Sequence, residues 1–184
     1  MGNPAIDRVL HDIGGIDTSA SSFLRGTQGT WNGRDVQFEL AGGTELPKRA
    51  VVRIAAAAPC RCRIRHRDSA DLYAGGPPEI DCALAMQRMT VWSDEASLPQ
   101  QLFSDGRLAA RLALAVVAKG DAIEINHDSI RVEQSLTRFD GEYAAFYSAW
   151  RAATEIIERM SFATTPDGRL PLVEVRDAMA MRGD

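Results

Sequence analysis

The sequence has few cysteines, few aromatic residues and no excess of positive charge. Three cysteines in 184 residues are too few, and odd in number, for a disulfide framework, and they suit a reducing compartment such as the cytoplasm. The net charge of -4 and the pI of about 5.4 argue against a general nucleic-acid coat, because phosphate binding requires positive charge. Any anion site is therefore expected to be a local patch.

Long hydrophobic runs are also missing. The longest, Leu112–Ala118, is far shorter than the roughly 20 residues that span a bilayer. The first residues, Met1–Gly15, include Asp7 and Asp12 and show no basic start followed by an apolar core, so no secretory signal is expected. Since hydrophobic residues make up 45% and charged residues 25%, we expect a soluble, cytoplasmic globular protein.

Residue periodicity predicts a strand-rich first half. Pro4–Ile13 has apolar residues on one helical face and precedes Gly14-Gly15, which predicts a short peripheral helix. Asn32-Gly33, between two alternating runs, is typical of a type I′ hairpin turn. Pro59 indicates a bend or a sheet edge. The predicted strands are Ser21–Thr30, Asp35–Ala41, Ala50–Ala58 and Cys60–Arg67.

The second half follows a loop at 68–78 and mixes strands with helices. Its predicted elements are a strand within Ile80–Trp92, a helix from about Ser104-Asp105 to Gly120, a hairpin around Asn126–Ser129, and a long helix from about Asp140 to Met160. Asp140 is the expected N-cap of that last helix, and Trp150 lies at the centre of its apolar stripe.

This order of elements predicts an α+β fold with a bent, largely antiparallel sheet and two main helices packed on one face. The predicted division is a peripheral N-terminal helix and connector at 1–20, a single domain at 21–162 and a C-terminal extension at 163–184. No glycine-rich phosphate loop joins a strand to a helix, so no nucleotide cofactor is indicated.

The most sharply patterned segment is Cys-Arg-Cys-Arg-Ile-Arg-His-Arg. On an extended strand, one side would carry a row of arginines about 20 Å long, Arg61, Arg63, Arg65 and Arg67. Guanidinium groups bind carboxylates and phosphates well, so this row is a candidate surface for an anionic partner. The competing interpretation is a solvated face that neighbouring strands neutralise, with Asp35 and Glu39 as candidate counter-ions.

The opposite side of the same strand suggests metal or thiol chemistry. Cys60, Cys62, His66 and the more distant Cys82 are residue types that bind zinc, but no pair of CxxC motifs is present. Alternatively, flanking arginines could activate Cys60 or Cys62 as a nucleophile, with His66 or His127 as the base. Packing of these side chains into the core is favoured over both, because buried cysteines behave as small hydrophobes.

These observations favour a non-enzymatic binding or assembly domain without a resident cofactor, acting through a protein partner or self-association. Specific nucleic-acid binding is disfavoured, since the arginine row has no interleaved aromatic residues and the chain is acidic. The alternative is a thiol- or metal-dependent enzyme or metalloprotein centred on Cys60, Cys62 and His66.

The order of segments over about residues 25 to 160 also shows a resemblance. The segments that carry it are Gly33–Val36, the junction at Pro59, Met89–Glu95, Leu102-Phe103, Leu108, Leu112, the Ile123–Val132 hairpin and the final helix. This layout resembles a group of uncharacterised bacterial α+β domains that often lie beside membrane spans. The resemblance implies a bent sheet followed by strand, helix, hairpin and helix. No activity is attached to the group, so the resemblance assigns no functional residue.

Overall fold

The structure, a computed structural model, describes residues 3–17, 22–23, 26–42, 48–69 and 89–162. Within these ranges the strands are β1 (Ile16–Asp17), β2 (Ser22–Phe23), β3 (Gly26–Trp31), β4 (Arg34–Ala41), β5 (Arg49–Ala55), β6 (Cys62–His66), β7 (Met89–Ser93), β8 (Ala122–Ile125) and β9 (Ser129–Ser135). The helices are α1 (Pro4–Ile13), α2 (Ser97–Ser104), α3 (Gly106–Ala115) and α4 (Glu142–Met160), with one 3-10 turn at Leu136–Arg138.

All nine strands belong to one open antiparallel sheet. The strand order is β1-β3-β4-β5-β9-β8-β6-β7, and β2 pairs with β3. The predicted α+β fold is therefore confirmed. The strand that carries the alternating arginines and cysteines, β6, is internal and pairs with β8 on one side and β7 on the other.

The helices cover one face of this sheet. Helix α4 crosses β5 and β9, and the Phe38 ring stacks on Trp150 with ring centroids 5.6 Å apart. On the same face, the side-chain amide of Gln134 donates to the carbonyl of Ala115 at the end of α3. The alternation of β4 buries Val36 and Phe38 on this face. The hydrophobic core thus lies between the sheet and the four helices.

Helix α1 is bounded as predicted and packs on α4. Asn3 caps its first turn by accepting hydrogen bonds from the backbone N–H groups of Ala5 and Ile6. Ile6 and Val9 are fully buried and belong to the same core as the sheet. The predicted division of the chain at residues 20 and 163 stays a prediction, and the extension at 163–184 lies outside the described residues.

The local predictions have mixed outcomes. The hairpin turn is confirmed, since Asn32 (φ 49) and Gly33 (φ 73) both have the positive φ of a type I′ turn. The prediction of Asp140 as the N-cap of α4 was wrong: the cap is Gly141 (φ 122), a conformation that suits glycine, and this residue makes no side-chain cap hydrogen bond. Helix α2 was not predicted.

Candidate functional site

Strand β6 separates its side chains onto the two faces of the sheet, as predicted. Cys62 and Ile64 are buried on the helix side, and Arg63 and Arg65 lie on the opposite face. The strand is shorter than the alternating run. Arg61 immediately precedes it and Arg67 follows it in a turn, so the two outer arginines flank the strand.

Strand pairing extends the arginine row across the sheet. Arg63 is directly opposite Glu124 on β8 and Trp92 on β7. Glu124 is in turn opposite Arg131 on β9, and Arg131 is opposite Arg53 on β5. Because directly opposed residues of an antiparallel pair share a face, these five side chains form one row on the face away from the helices.

Two glutamates form ion pairs with arginines on this face of the sheet. One oxygen of Glu124 lies 2.9 Å from Nη2 of Arg65 and 3.4 Å from Nε of Arg63, and its other oxygen lies 3.9 Å from Nη1 of Arg131. Glu133 lies 2.8 Å from Arg131 and 2.9 Å from Arg49. We call this set the arginine face. Its members are Arg49, Arg53, Arg63, Arg65 and Arg131 with Glu124 and Glu133.

The arginine face carries more positive than negative charge. Strands β5, β9, β8 and β6 place five arginines and two glutamates on it, in a chain whose net charge is -4. Arg53 and Arg131 are directly opposite each other, an unfavourable arrangement for like charges. Burial lowers the pKa of the Arg53 guanidinium, the Asp128 carboxylate opposes this shift and Arg131 adds to it. Arginine nevertheless stays charged at neutral pH.

Solvent access to the arginine face varies. The side chains of Arg131 and Arg49 are 37% and 33% exposed, whereas those of Arg65 and Glu124 are 12% and 16% exposed. Arg53 donates to the hydroxyl of Ser129. Groups of this kind are partly desolvated, so their interactions with an incoming anion are stronger than those of fully exposed arginines.

The two outer residues of the predicted row have different surroundings. Arg61 forms a two-pronged ion pair with Asp94, with nitrogen–oxygen distances of 2.9 and 3.2 Å. This hydrogen bonding lowers the pKa of the Asp94 carboxyl and raises that of Arg61. Arg67 is exposed.

The prediction of Asp35 and Glu39 as counter-ions was wrong. The carboxylates that form ion pairs with Arg61, Arg63 and Arg65 are Asp94 and Glu124, in place of the expected Asp35 and Glu39. The latter two are on β4, which is separated from β6 by β5, β9 and β8, a distance of about 19 Å.

The cysteines of the alternative site are buried. Cys60 and Cys62 are each 2% exposed, and neither is in a disulfide. The Sγ atom of Cys60 lies 3.9 Å from Oγ of Ser93. Burial raises the pKa of the Cys60 thiol, which keeps it protonated and therefore a poor nucleophile and metal ligand.

The predicted metal and base residues show no convergent geometry. His66 accepts a hydrogen bond from the backbone of Asp68 through Nδ1, and Nδ1 of His127, an exposed turn residue, lies 3.3 Å from the carbonyl oxygen of Ala58. In the part of the chain that the structure describes, no group of three or more His, Cys, Asp or Glu is placed to hold a metal ion. Cys82 lies outside the described residues.

Several residues of the arginine face were not proposed from the sequence. Arg53 on β5 and Arg131 on β9 lie in segments correctly predicted as strands, whereas Arg49 begins β5 one residue before the predicted strand. Trp92, on the same side of the sheet, lies on β7, also in a segment predicted as a strand. The alternation within each strand was visible in the sequence, but the proximity of these residues to Arg63 depends on which strands pair. In the sheet, β8 and β9 lie between β5 and β6, and they come from a hairpin about 60 residues further along the chain.

The fold and the site define an α+β protein with an open antiparallel sheet, helices on one face and a charged second face. No family model matches the chain, and no curated protein matches it. Among solved structures, it is similar to the crystal structure of the mycobacterial trehalose monomycolate transport factor A, TtfA, with 10% sequence identity and a TM-score of 0.60. The similarity covers 86% of this chain and 95% of that one. At this identity it shows a shared fold.

Proposed function

We propose that this chain is a cytoplasmic, non-enzymatic binding domain whose arginine face holds an acidic segment of a protein partner. The observation that carries the proposal is the five arginines and two glutamates that β5, β9, β8 and β6 place on the face away from the helices. Guanidinium groups bind carboxylates through two parallel hydrogen bonds, which gives both orientation and affinity.

A tryptophan on the same face favours a protein as the partner. Trp92 is half-buried and directly opposite Arg63 in the strand pairing. Tryptophan and arginine are enriched among the few residues that contribute most to protein–protein binding. Arg61 and Arg67, at the two ends of β6, would extend the surface of Arg63 and Arg65 along the strand.

A shared fold leaves function to be argued from the site. TtfA, to which the chain is similar, is a trehalose monomycolate transport factor. The arginine face, and not that similarity, supports a binding role for this chain. The buried, protonated Cys60 provides no support for the thiol- or metal-dependent alternative.

Binding of a fluorescent oligoglutamate peptide at low salt tests the proposal. A double variant, Arg53→Gln with Arg131→Gln, should bind the peptide about 5- to 30-fold more weakly, because it loses two partly exposed ion pairs. The matched control is Arg111→Gln with Arg159→Gln, which removes the two arginines that contact Glu155 on the helix side. This control should bind as the parent does.

Two outcomes would count against the proposal. Equal weakening by both double variants would show that net charge and not the arginine face governs binding. Tighter binding of a thymidine oligonucleotide of the same charge than of oligoglutamate would indicate a nucleic-acid site in place of a protein-binding one. Salt should weaken genuine binding, since ions screen partly exposed charges.

A further inference from the structure

The position of Glu124 at the centre of the arginine face has a second consequence, which rests on the proposed function. Glu124 is flanked by directly opposed arginines on both neighbouring strands, Arg131 on β9 and Arg63 on β6. A third arginine, Arg65, makes its shortest contact at 2.9 Å. A carboxylate of this protein therefore occupies the place that a partner's carboxylate would take.

We infer that Glu124 is an internal competitor on the arginine face, and that it selects partners with a run of acidic residues over partners with a single carboxylate. A carboxylate held by the fold has a high effective concentration beside its arginines, so an isolated carboxylate from solution displaces it poorly. Several linked carboxylates can engage Arg53, Arg131 and Arg49 at the same time and overcome this competition.

The contacts of Arg131 indicate where an incoming carboxylate enters. Its distance to Glu124 is 3.9 Å, longer than a hydrogen bond, while its distance to Glu133 is 2.8 Å. Arg53, directly opposite Arg131, donates to the Ser129 hydroxyl. A first carboxylate between Arg53 and Arg131 would relieve their like-charge repulsion, and further carboxylates linked to it are needed to displace Glu124 from Arg63 and Arg65.

Charge removal at Glu124 tests this inference. We expect Glu124→Gln to bind oligoglutamate about fivefold more tightly than the parent, since one competing ion-pair partner is lost. In the same variant, the ratio between the affinity for oligoglutamate and the affinity for a peptide with a single glutamate should be smaller than in the parent. The matched control is Glu155→Gln, because Glu155 also contacts two arginines and is 18% exposed but lies on the helix side. This variant should bind oligoglutamate with the affinity of the parent.

The possible results separate this inference from the proposed function. If parent and variants all fail to bind oligoglutamate, the proposed function is wrong. If the parent binds but Glu124→Gln binds equally or more weakly, the arginine face stands and the competitor role is overturned. Should Glu124→Gln not fold, Glu124→Asp provides the same test, because the shorter side chain withdraws the carboxylate and should tighten binding to a smaller extent.

Discussion

The Nε atom of Arg138 lies 3.1 Å from Oδ2 of Asp121, a carboxylate that is wholly buried. The same carboxylate accepts hydrogen bonds from the backbone N–H groups of Val117, Ala118 and Ser135 at 2.7 to 3.0 Å. Asp121 thereby joins the segment after α3 to the end of β9. Because β8 begins at the next residue, this contact also fixes the start of the strand that presents Glu124.

Asp121→Asn should destabilise the protein by about 2 to 4 kcal/mol. The amide nitrogen of asparagine cannot accept a hydrogen bond, so at least one buried N–H loses its partner and Arg138 loses its counter-ion. Chemical denaturation measures the change. Asp140→Asn, at an exposed position, is the control and should stay within about 0.5 kcal/mol of the parent. If the Asp121→Asn variant is as stable as the parent, water must satisfy the buried N–H groups that the carboxylate pairs with in the parent protein.

Local patterns predicted the elements well where alternation or a turn motif was strong. The hairpin at Asn32-Gly33 and the two faces of β4 and β6 follow from nearest-neighbour sterics and the two-residue period of a strand. Helix α2 was missed because it is only eight residues long and includes Pro99, although proline is tolerated in a first helical turn. The arginine face could not be assembled from these patterns, since it requires the long-range pairing of β5, β9, β8 and β6.

The hairpin turn gives a prediction that isolates backbone conformation. Gly33 has φ +73 and no atom within 4 Å of the position where a Cβ would lie. Gly33→Ala should therefore cost about 1 to 2 kcal/mol through the left-handed backbone alone, without a clash. Gly106→Ala is the matched control, because Gly106 is also uncrowded but begins α3 with ordinary helical backbone. Alanine there should be neutral or stabilising by up to about 1 kcal/mol. Equal melting temperatures for the two variants would contradict the type I′ turn.

Thiol reactivity distinguishes core cysteines from catalytic ones. In a Cys82→Ser variant, which leaves the two buried thiols, labelling by an aromatic disulfide should occur only as fast as the protein opens. Burial raises the pKa of the Cys60 thiol in the folded state. The protonated thiol therefore contributes to stability below the ordinary thiol pKa, and this contribution is lost as the pH rises from the ordinary pKa through the raised one. Labelling at neutral pH as rapid as in the denatured protein, or stoichiometric zinc in the parent protein, would favour the thiol- or metal-dependent alternative.

Trp150 lies in the hydrophobic core between Phe38 and Trp31 and is 4% exposed. The rings of Trp150 and Trp31 meet in a T-shaped arrangement with their centroids 5.2 Å apart. Trp150→Ala should cost about 3 to 5 kcal/mol, a large share of the roughly 5 to 15 kcal/mol that stabilises a domain. Tyr147, on the same helix but 40% exposed, is the control, and Tyr147→Ala should cost about 1 kcal/mol or less.

Thermal melts and sedimentation on the same samples decide between a core and an interface at Trp150. A large loss of stability at Trp150 with little change at Tyr147 is expected if α4 packs on β4, β5 and β9 within one chain. If Trp150→Ala melts as the parent does but loses a dimer or a bound partner, the stripe is an interface, because an aromatic in a packed core cannot be removed without cost. That result would move the binding surface from the arginine face to α4.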